Sequence, residues 1–449
     1  MKTNTIKFFA LIVICTNLYA SDEIEIRELK NEVKNLLERI EALEKRAQLK
    51  TKSKVDEEKK EKPKIAQYIL DDASGINPPI KQKGSLELKS ADTVLSIGGR
   101  IQLDTHYLWP EVSSHKVNSI PVTSNPGENG QIKFDSSYSR LWAKTRTPSK
   151  YGPIRTLIET DFYGTAGTEI NTNSSGLRLR HAYVQAGNWT VGQTNSAFNT
   201  YVTLDILYLA INDVLARQPL IRYSIEGKKI SYDISLEQPE TTLLDPDGEI
   251  ITPKDDVAPD VIARMRYYPT WGEVGFSVMG RYINQDHAQL SDGTMLNNRD
   301  SAIGWATNLS TKVKTDGLDD IRFALHYGVG LGRYIAYNAY SAGSVDASGN
   351  IKLQPTYGGN IGYRHWWNKK LRSTISFSYT GTDNNLEAVN SSANFDSINK
   401  EAYSSQINLL WIPLPNALIG IEYAKAKRKV QSNKEGDLDA TMLRMRYDF

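Results

Sequence analysis

The sequence predicts an all-β transmembrane barrel of about 16 antiparallel strands, preceded by an N-terminal α-helical coiled coil. Three observations carry that expectation. From Ser85 to Phe449 the chain is a long series of segments in which apolar and polar residues alternate, the period of half-apolar strands. The connections between those segments alternate long and short. No apolar run reaches the roughly 18 residues of a membrane-spanning helix, an absence that leaves a barrel open because its strands are only half apolar.

Composition sets the outer bounds. The 449 residues hold 54 Lys+Arg against 52 Asp+Glu, with 24 Tyr, 31 Gly, 6 His and one Cys. This near-neutral balance gives no sign of a nucleic-acid partner. At the start, Lys2 and Lys7 precede an apolar run over 8–15 and a polar stretch over 16–20. The pattern reads as a secretory signal peptide, residues 1–20, cut after Ala20. Its removal takes away Cys15 and leaves acidic and basic side chains in balance, so disulfides, zinc ribbons and thiol catalysis are excluded from the mature chain. His106, His115, His181, His287, His326 and His365 are scattered without metal-binding spacing, and no cofactor or metal is expected.

Residues 21–50 read as the coiled coil. Ile26, Leu29, Val33, Leu36, Ile40, Leu43 and Ala47 recur in steps of three and four, with Ile26, Val33 and Ile40 at a and the leucines at d. So narrow an apolar stripe must be buried against something, which implies self-association. The β-branched a and leucine d positions favour a dimer. Arg39-Ile40-Glu41-Ala42-Leu43-Glu44, with Arg39 at g facing Glu44 at e, resembles instead the short trimerisation motif of parallel coils, and a homotrimer is preferred. Residues 51–84 then form a charged linker and entry segment, of which Thr51 to Lys64 is too polar to bury surface.

The barrel itself is expected over 85–449. In its first strand Leu95, Ile97, Ile101, Leu103 and Tyr107 fall on one face, and Ser96, Arg100, Gln102, Asp104 and His106 on the other. The pattern repeats around residues 140, 158, 181, 190, 223, 233, 264, 277, 308, 324, 358, 375, 406, 421 and 445. Long connections are expected at 109–133, 164–176, 194–219, 239–259, 284–300, 330–351, 382–399 and 428–437, with short turns between them. Short periplasmic turns and long outer loops are the habit of outer-membrane barrels, whereas a soluble sandwich has no reason to sort its loops this way. Tyr107, Trp109, Trp189, Tyr267, Tyr268, Trp271, Trp366, Trp367, Trp411 and Tyr447 lie near strand ends, as interfacial girdles in contact with outer-membrane lipid would.

A barrel of this width cannot be filled by its own side chains and leaves an aqueous channel. The alternation turns Arg100, Arg140, Lys144, Arg146, Arg155, Arg178, Arg180, Arg222, Arg264 and Arg266 inward, with fewer acids beside them, and such a lumen favours anions. Many of these arginines are expected to pair with neighbouring acids across strands. The third long connection, 194–219, is unusually apolar, with only Asp205, Asp213 and Arg217 charged, so it should fold inward or pack between subunits.

The segments Tyr138-Ser139-Arg140-Leu141-Trp142, Ile158-Glu159-Thr160-Asp161-Phe162, Leu177-Arg178-Leu179-Arg180-His181-Ala182-Tyr183-Val184 and Arg217-Gln218-Pro219-Leu220-Ile221-Arg222-Tyr223 resemble the DcaP-like porin family. The resemblance implies a trimeric, sixteen-stranded outer-membrane porin with a periplasmic helical extension, admitting small anionic solutes such as dicarboxylates. It also implies that the third loop narrows the pore, and that Arg140, Arg178, Arg180 and Arg222 form the selectivity wall. A phosphate-selective porin and a structural tether that grips peptidoglycan or periplasmic partners through its coil are the other readings. No enzyme is expected, since His181 and Ser139 are the nearest approach to a nucleophilic set and nothing recommends them.

Overall fold

The computed structural model describes residues 85–449, except 91, 113–116, 123–129, 166, 168–169, 171, 209–210, 212 and 254–255. The expected signal peptide, the coiled coil with its positions from Ile26 to Glu44, and the charged linker lie outside the described residues.

Sixteen strands pair antiparallel around a closed barrel. They are β1 (Thr93–Trp109), β2 (Gln131–Asp135 and Arg140–Thr147), β3 (Ile154–Asp161), β4 (Arg178–Ala186), β5 (Trp189–Asn195), β6 (Arg217–Ile225), β7 (Ile230–Glu237) and β8 (Asp260–Tyr267). There follow β9 (Gly272–Asp286), β10 (Arg299–Lys314), β11 (Asp320–Val329), β12 (Pro355–Asn368), β13 (Leu371–Thr382), β14 (Asn399–Trp411), β15 (Ala417–Val430) and β16 (Glu435–Asp448). Both halves of β2 pair with β1, and a short strand Leu86–Ser90 folds back on the start of β1. Closure comes from β16 lying against β1, with Arg100 opposite Asp448 and Trp109 opposite Asp439. Beside this seam Gly99 and Phe449 exchange two backbone hydrogen bonds of 2.9 Å. Every strand edge in the ring is thereby paired, which a hydrocarbon surround requires.

The alternation is the inverse of that in a soluble protein. On β1, Ile97, Ile101, Leu103 and Tyr107 are exposed, while Ser96, Arg100, Gln102, Asp104 and His106 are buried. The same holds on β13, where Ile375 and Phe377 face out and Thr374, Ser376 and Ser378 face in. Apolar outside and polar inside is the arrangement that lipid, and not water, selects.

All sixteen segments read from the sequence fall inside strands. One connection differs. The expected long loop 428–437 is a tight turn at 431–434, with Asn433 in the left-handed region at φ 65°. Lys425, Lys427 and Lys429 are outward-facing strand residues, partnered by Asp439, Glu435 and Glu401 on β16 and β14, so β15 and β16 run on where the loop was expected. At the long-loop end, Leu243–Leu244, Ile250–Ile251, Gly343–Val345 and Ile351–Leu353 form a separate small sheet. Leu243, Ile251, Val345 and Ile351 pack there with Ile283, so these loops have a core of their own.

Candidate constriction and selectivity site

Residues 196–216, the third long loop, turn back into the barrel. The amides of Tyr201 and Val202 donate to Ser310 Oγ on β10 at 3.0 and 3.2 Å. Those of Leu207 and Tyr208 donate to the Glu422 carboxylate on β15 at 2.8 and 2.6 Å. Asn308 and Asn408 side chains donate to the Phe198 and Asp205 carbonyls, both at 2.9 Å. A loop held away from water must satisfy its backbone in this way, and the inward polar residues of the far wall supply the partners.

The sharpest anchor is Asp205. Arg372 Nε and Nη2 donate to its carboxylate at 2.5 and 3.1 Å, and Arg364 approaches within 3.6 Å. Burial alone would raise this carboxyl, and the guanidiniums of Arg372 and Arg364 more than reverse that, holding it at about 2. Trp366 lies against both arginines, 5.4 Å from Arg364 and 5.0 Å from Arg372. Its expected place in the interfacial girdle is therefore corrected, as is that of Tyr268, whose hydroxyl meets Tyr201 of the loop at 3.3 Å. Arg364 and Asp320, which form an ion pair beside this anchor, were not singled out in the sequence, although residue 364 shares the inward parity of Thr356 and Asn360.

Between the loop and a wall formed by β1, β2, β4, β6 and β13 to β16 lies a cavity of about 350 Å³. Arg178 grips Asp161 with two hydrogen bonds, 3.0 and 2.7 Å, and its guanidinium stacks on Tyr163 at 4.8 Å. Arg180 bridges Glu159 at 2.6 Å and Asp161 at 2.9 Å, and Arg140 stands 3.6 Å from Glu159. An irregularity in the β3–β4 register at Glu159/Thr160 turns both Arg180 and His181 inward, where strict alternation admits one of them. Among the described residues, three guanidiniums over two carboxylates leave positive charge in excess. Arg217, at the start of β6, adds to it, because its hydrogen bond goes to the neutral Asn195 amide at 3.1 Å.

The remaining positions stand elsewhere or are neutralised. Arg100 lines the same cavity but pairs with Asp448 at 2.7 Å. Arg264 and Arg266 share Asp233 at 2.9 and 3.4 Å, and Arg266 also reaches Glu226. Arg155 meets the Gln185 amide oxygen at 3.5 Å and Arg222 the Asn195 carbonyl at 3.4 Å. Lys144 lies 4.0 Å over the Trp142 ring, and Arg146 is exposed toward the short-turn end.

The sixth long loop, 330–354, meets the third. Ile335 bridges Val214, Tyr334 O accepts the Leu215 amide at 3.1 Å, and Asp213 O accepts the Ala336 amide at 2.9 Å. Ala336, Tyr337 and Asn338 are all left-handed, with φ of 48, 58 and 65°. Three successive non-glycine residues in that region cost about 1 kcal/mol or more each and persist because the packing around them dictates it. Nothing in the sequence marked this turn.

Asp213 lines the same cavity, and among the described residues its carboxylate has neither ion pair nor hydrogen bond. Burial pushes it up to about 7. Tyr337 from the sixth loop, Arg178, Arg180 and Arg217 line the same cavity, and Tyr337 feels the charges of Asp213 and of all three arginines. The group is neutral well below pH 7 and negative well above it. Anion preference is therefore expected to fall as pH rises from 6 to 8, read as a drop in the anion-to-cation permeability ratio. Asp213→Asn should flatten that profile, and a ratio flat across this range in the native protein would contradict the assignment.

A closed barrel that is apolar outside, polar within and crossed by an inward loop defines an outer-membrane porin. A family model described as DcaP outer membrane protein matches residues 81–224 and 262–449, and the chain belongs to that family. Among solved structures, the outer membrane channel DcaP of Acinetobacter baumannii is similar with a TM-score of 0.66 at 22% identity, covering 80% of this chain and 99% of that one. The anion-selective porin from Comamonas acidovorans gives 0.52 at 10% identity over 80% and 100% of the two chains. A trimer form of the Vibrio cholerae outer membrane protein OmpT gives 0.50 at 8% identity over 80% and 99%. No curated protein matches the chain.

Proposed function

We propose that this porin is a passive diffusion channel that prefers small anions, dicarboxylates among them. The observation that carries the reading is the uneven sharing of Glu159 and Asp161 among Arg140, Arg178 and Arg180, with Arg217 beside them at the same cavity. A low-dielectric wall focuses the field of that excess charge into the water path. Loop 3 serves as the constriction, held by Asp205 and by Glu422, while Arg222, Arg264 and Arg266 belong to a flanking wall whose charge is partly spent on Asp233. The Comamonas protein, anion-selective by its description, shares the architecture.

The arginine cluster would also suit phosphate, since guanidinium pairs with either oxyanion in bidentate fashion. Titrating succinate and phosphate against the chloride current of the purified protein separates the two. A lower half-blocking concentration for succinate supports the dicarboxylate reading, and a lower one for phosphate replaces it.

We further propose that residues 21–50 are a periplasmic coil holding three barrels together. Deleting 22–50 is then expected to shift the detergent-extracted protein from trimer to monomer by light scattering while single barrels still conduct. An unchanged trimer would place the association in the barrel wall, and lost envelope integrity with unchanged conductance would favour the tether.

A further inference from the structure

Loop 3 presents two carboxylates, and they are used differently. Asp205 is consumed by Arg372 and Arg364 on the wall. Asp213 lines the cavity with no cation against its carboxylate among the described residues. Its backbone carbonyl is fixed by the Ala336 amide, and its neighbour Val214 is bridged to Ile335, so two loops hold the backbone that carries it. Across the same cavity stand Arg178, one third exposed, and Arg217, whose side chain has no carboxylate partner among the described residues. Tyr337 lines the same cavity, close enough to feel the charges of Asp213, Arg217, Arg178 and Arg180 together.

A plain dicarboxylate would use the arginines and be repelled by Asp213. We propose that the solute best matched to this constriction is an acidic zwitterion, an amino dicarboxylate of the size of aspartate, whose carboxylates meet Arg178 and Arg217 while its ammonium meets Asp213. This inference rests on the anion-preferring reading above and narrows it. The tendency of Asp213 to stay half protonated near neutral pH agrees with a site that lacks its cation until the solute arrives. A carboxylate and guanidiniums on one cavity lining also orient a solute of mixed charge as it enters.

The test is block of the potassium chloride current of the full-length porin in a planar bilayer by aspartate and by succinate. Aspartate is expected to half-block at a several-fold lower concentration than succinate, although it carries one negative charge fewer. In Asp213→Asn, and independently in Asp213→Ser, the order should reverse; heat-modifiable migration in gel electrophoresis shows that each variant has folded. Block by succinate with equal or weaker block by aspartate overturns this inference and leaves the anion reading standing. An aspartate preference that survives both substitutions also overturns it. Block by neither solute overturns both.

Discussion

Single-channel current through Arg372→Ala is expected to be larger and noisier than through the native porin, by about one half to twofold in conductance. Arg372 is among the largest fully buried side chains in the barrel and holds Asp205 through two nitrogens. Removing one member of a buried ion pair strands the other, at about 3–5 kcal/mol. Loop 3 can relieve that penalty by lifting Asp205 into the water of the lumen, which is movement out of the channel cross-section. Its other tethers, among them Ser310, Glu422, Asn308 and Asn408, hold the loop backbone by individual hydrogen bonds of about 1 kcal/mol each in net terms. The paired replacement Arg372→Met with Asp205→Asn removes both charges of this pair, leaves Arg364 to its other partner Asp320, and should restore a quieter, narrower channel. Native conductance and noise in Arg372→Ala would show that the ion pair does not set the position of the loop.

The second large effect concerns selectivity. Arg178→Ala with Arg180→Ala removes two positive charges from the cavity and leaves Asp161, which is fully buried, without its guanidiniums. The permeability ratio should move from anion-preferring toward cation-preferring, and the barrel should denature at lower temperature. Asp161→Asn is the companion variant, because it removes negative charge at the same place. Its selectivity should shift the opposite way, toward anions, even though it too breaks the pair. Opposite signs separate an electrostatic role from a merely structural one, since damage to the fold would move both variants together.

The barrel was legible because lipid enforces the pattern that reads it. On β1 every second residue must be apolar against hydrocarbon, so Ile97, Ile101 and Leu103 mark the strand without any tertiary information. The loop expected at 428–437 did not form because the two flanking strands extend to Val430 and from Glu435, where acidic partners on neighbouring strands accommodate the outward charges of Lys427 and Lys429. The inward parity of Arg140, Arg178 and Arg180 could also be read, and so could the apolar character of loop 3. Which arginines keep their charge could not. That depends on the register placing Glu159 and Asp161 beside β4, on the irregularity that turns both Arg180 and His181 inward, and on a left-handed turn in the sixth loop that brings Tyr337 to Asp213. These are contacts between residues 17 to more than 100 positions apart, and local periodicity carries no information about them.

The central claim is that positive charge at one cavity decides which ions pass. It is tested most directly by the reversal potential of the purified porin in a planar bilayer under a potassium chloride gradient, native protein beside Arg178→Ala/Arg180→Ala. The account predicts a native reversal potential on the chloride side that moves toward the potassium side in the double variant. A native channel that favours potassium, or a reversal potential indifferent to the loss of both arginines, would contradict it.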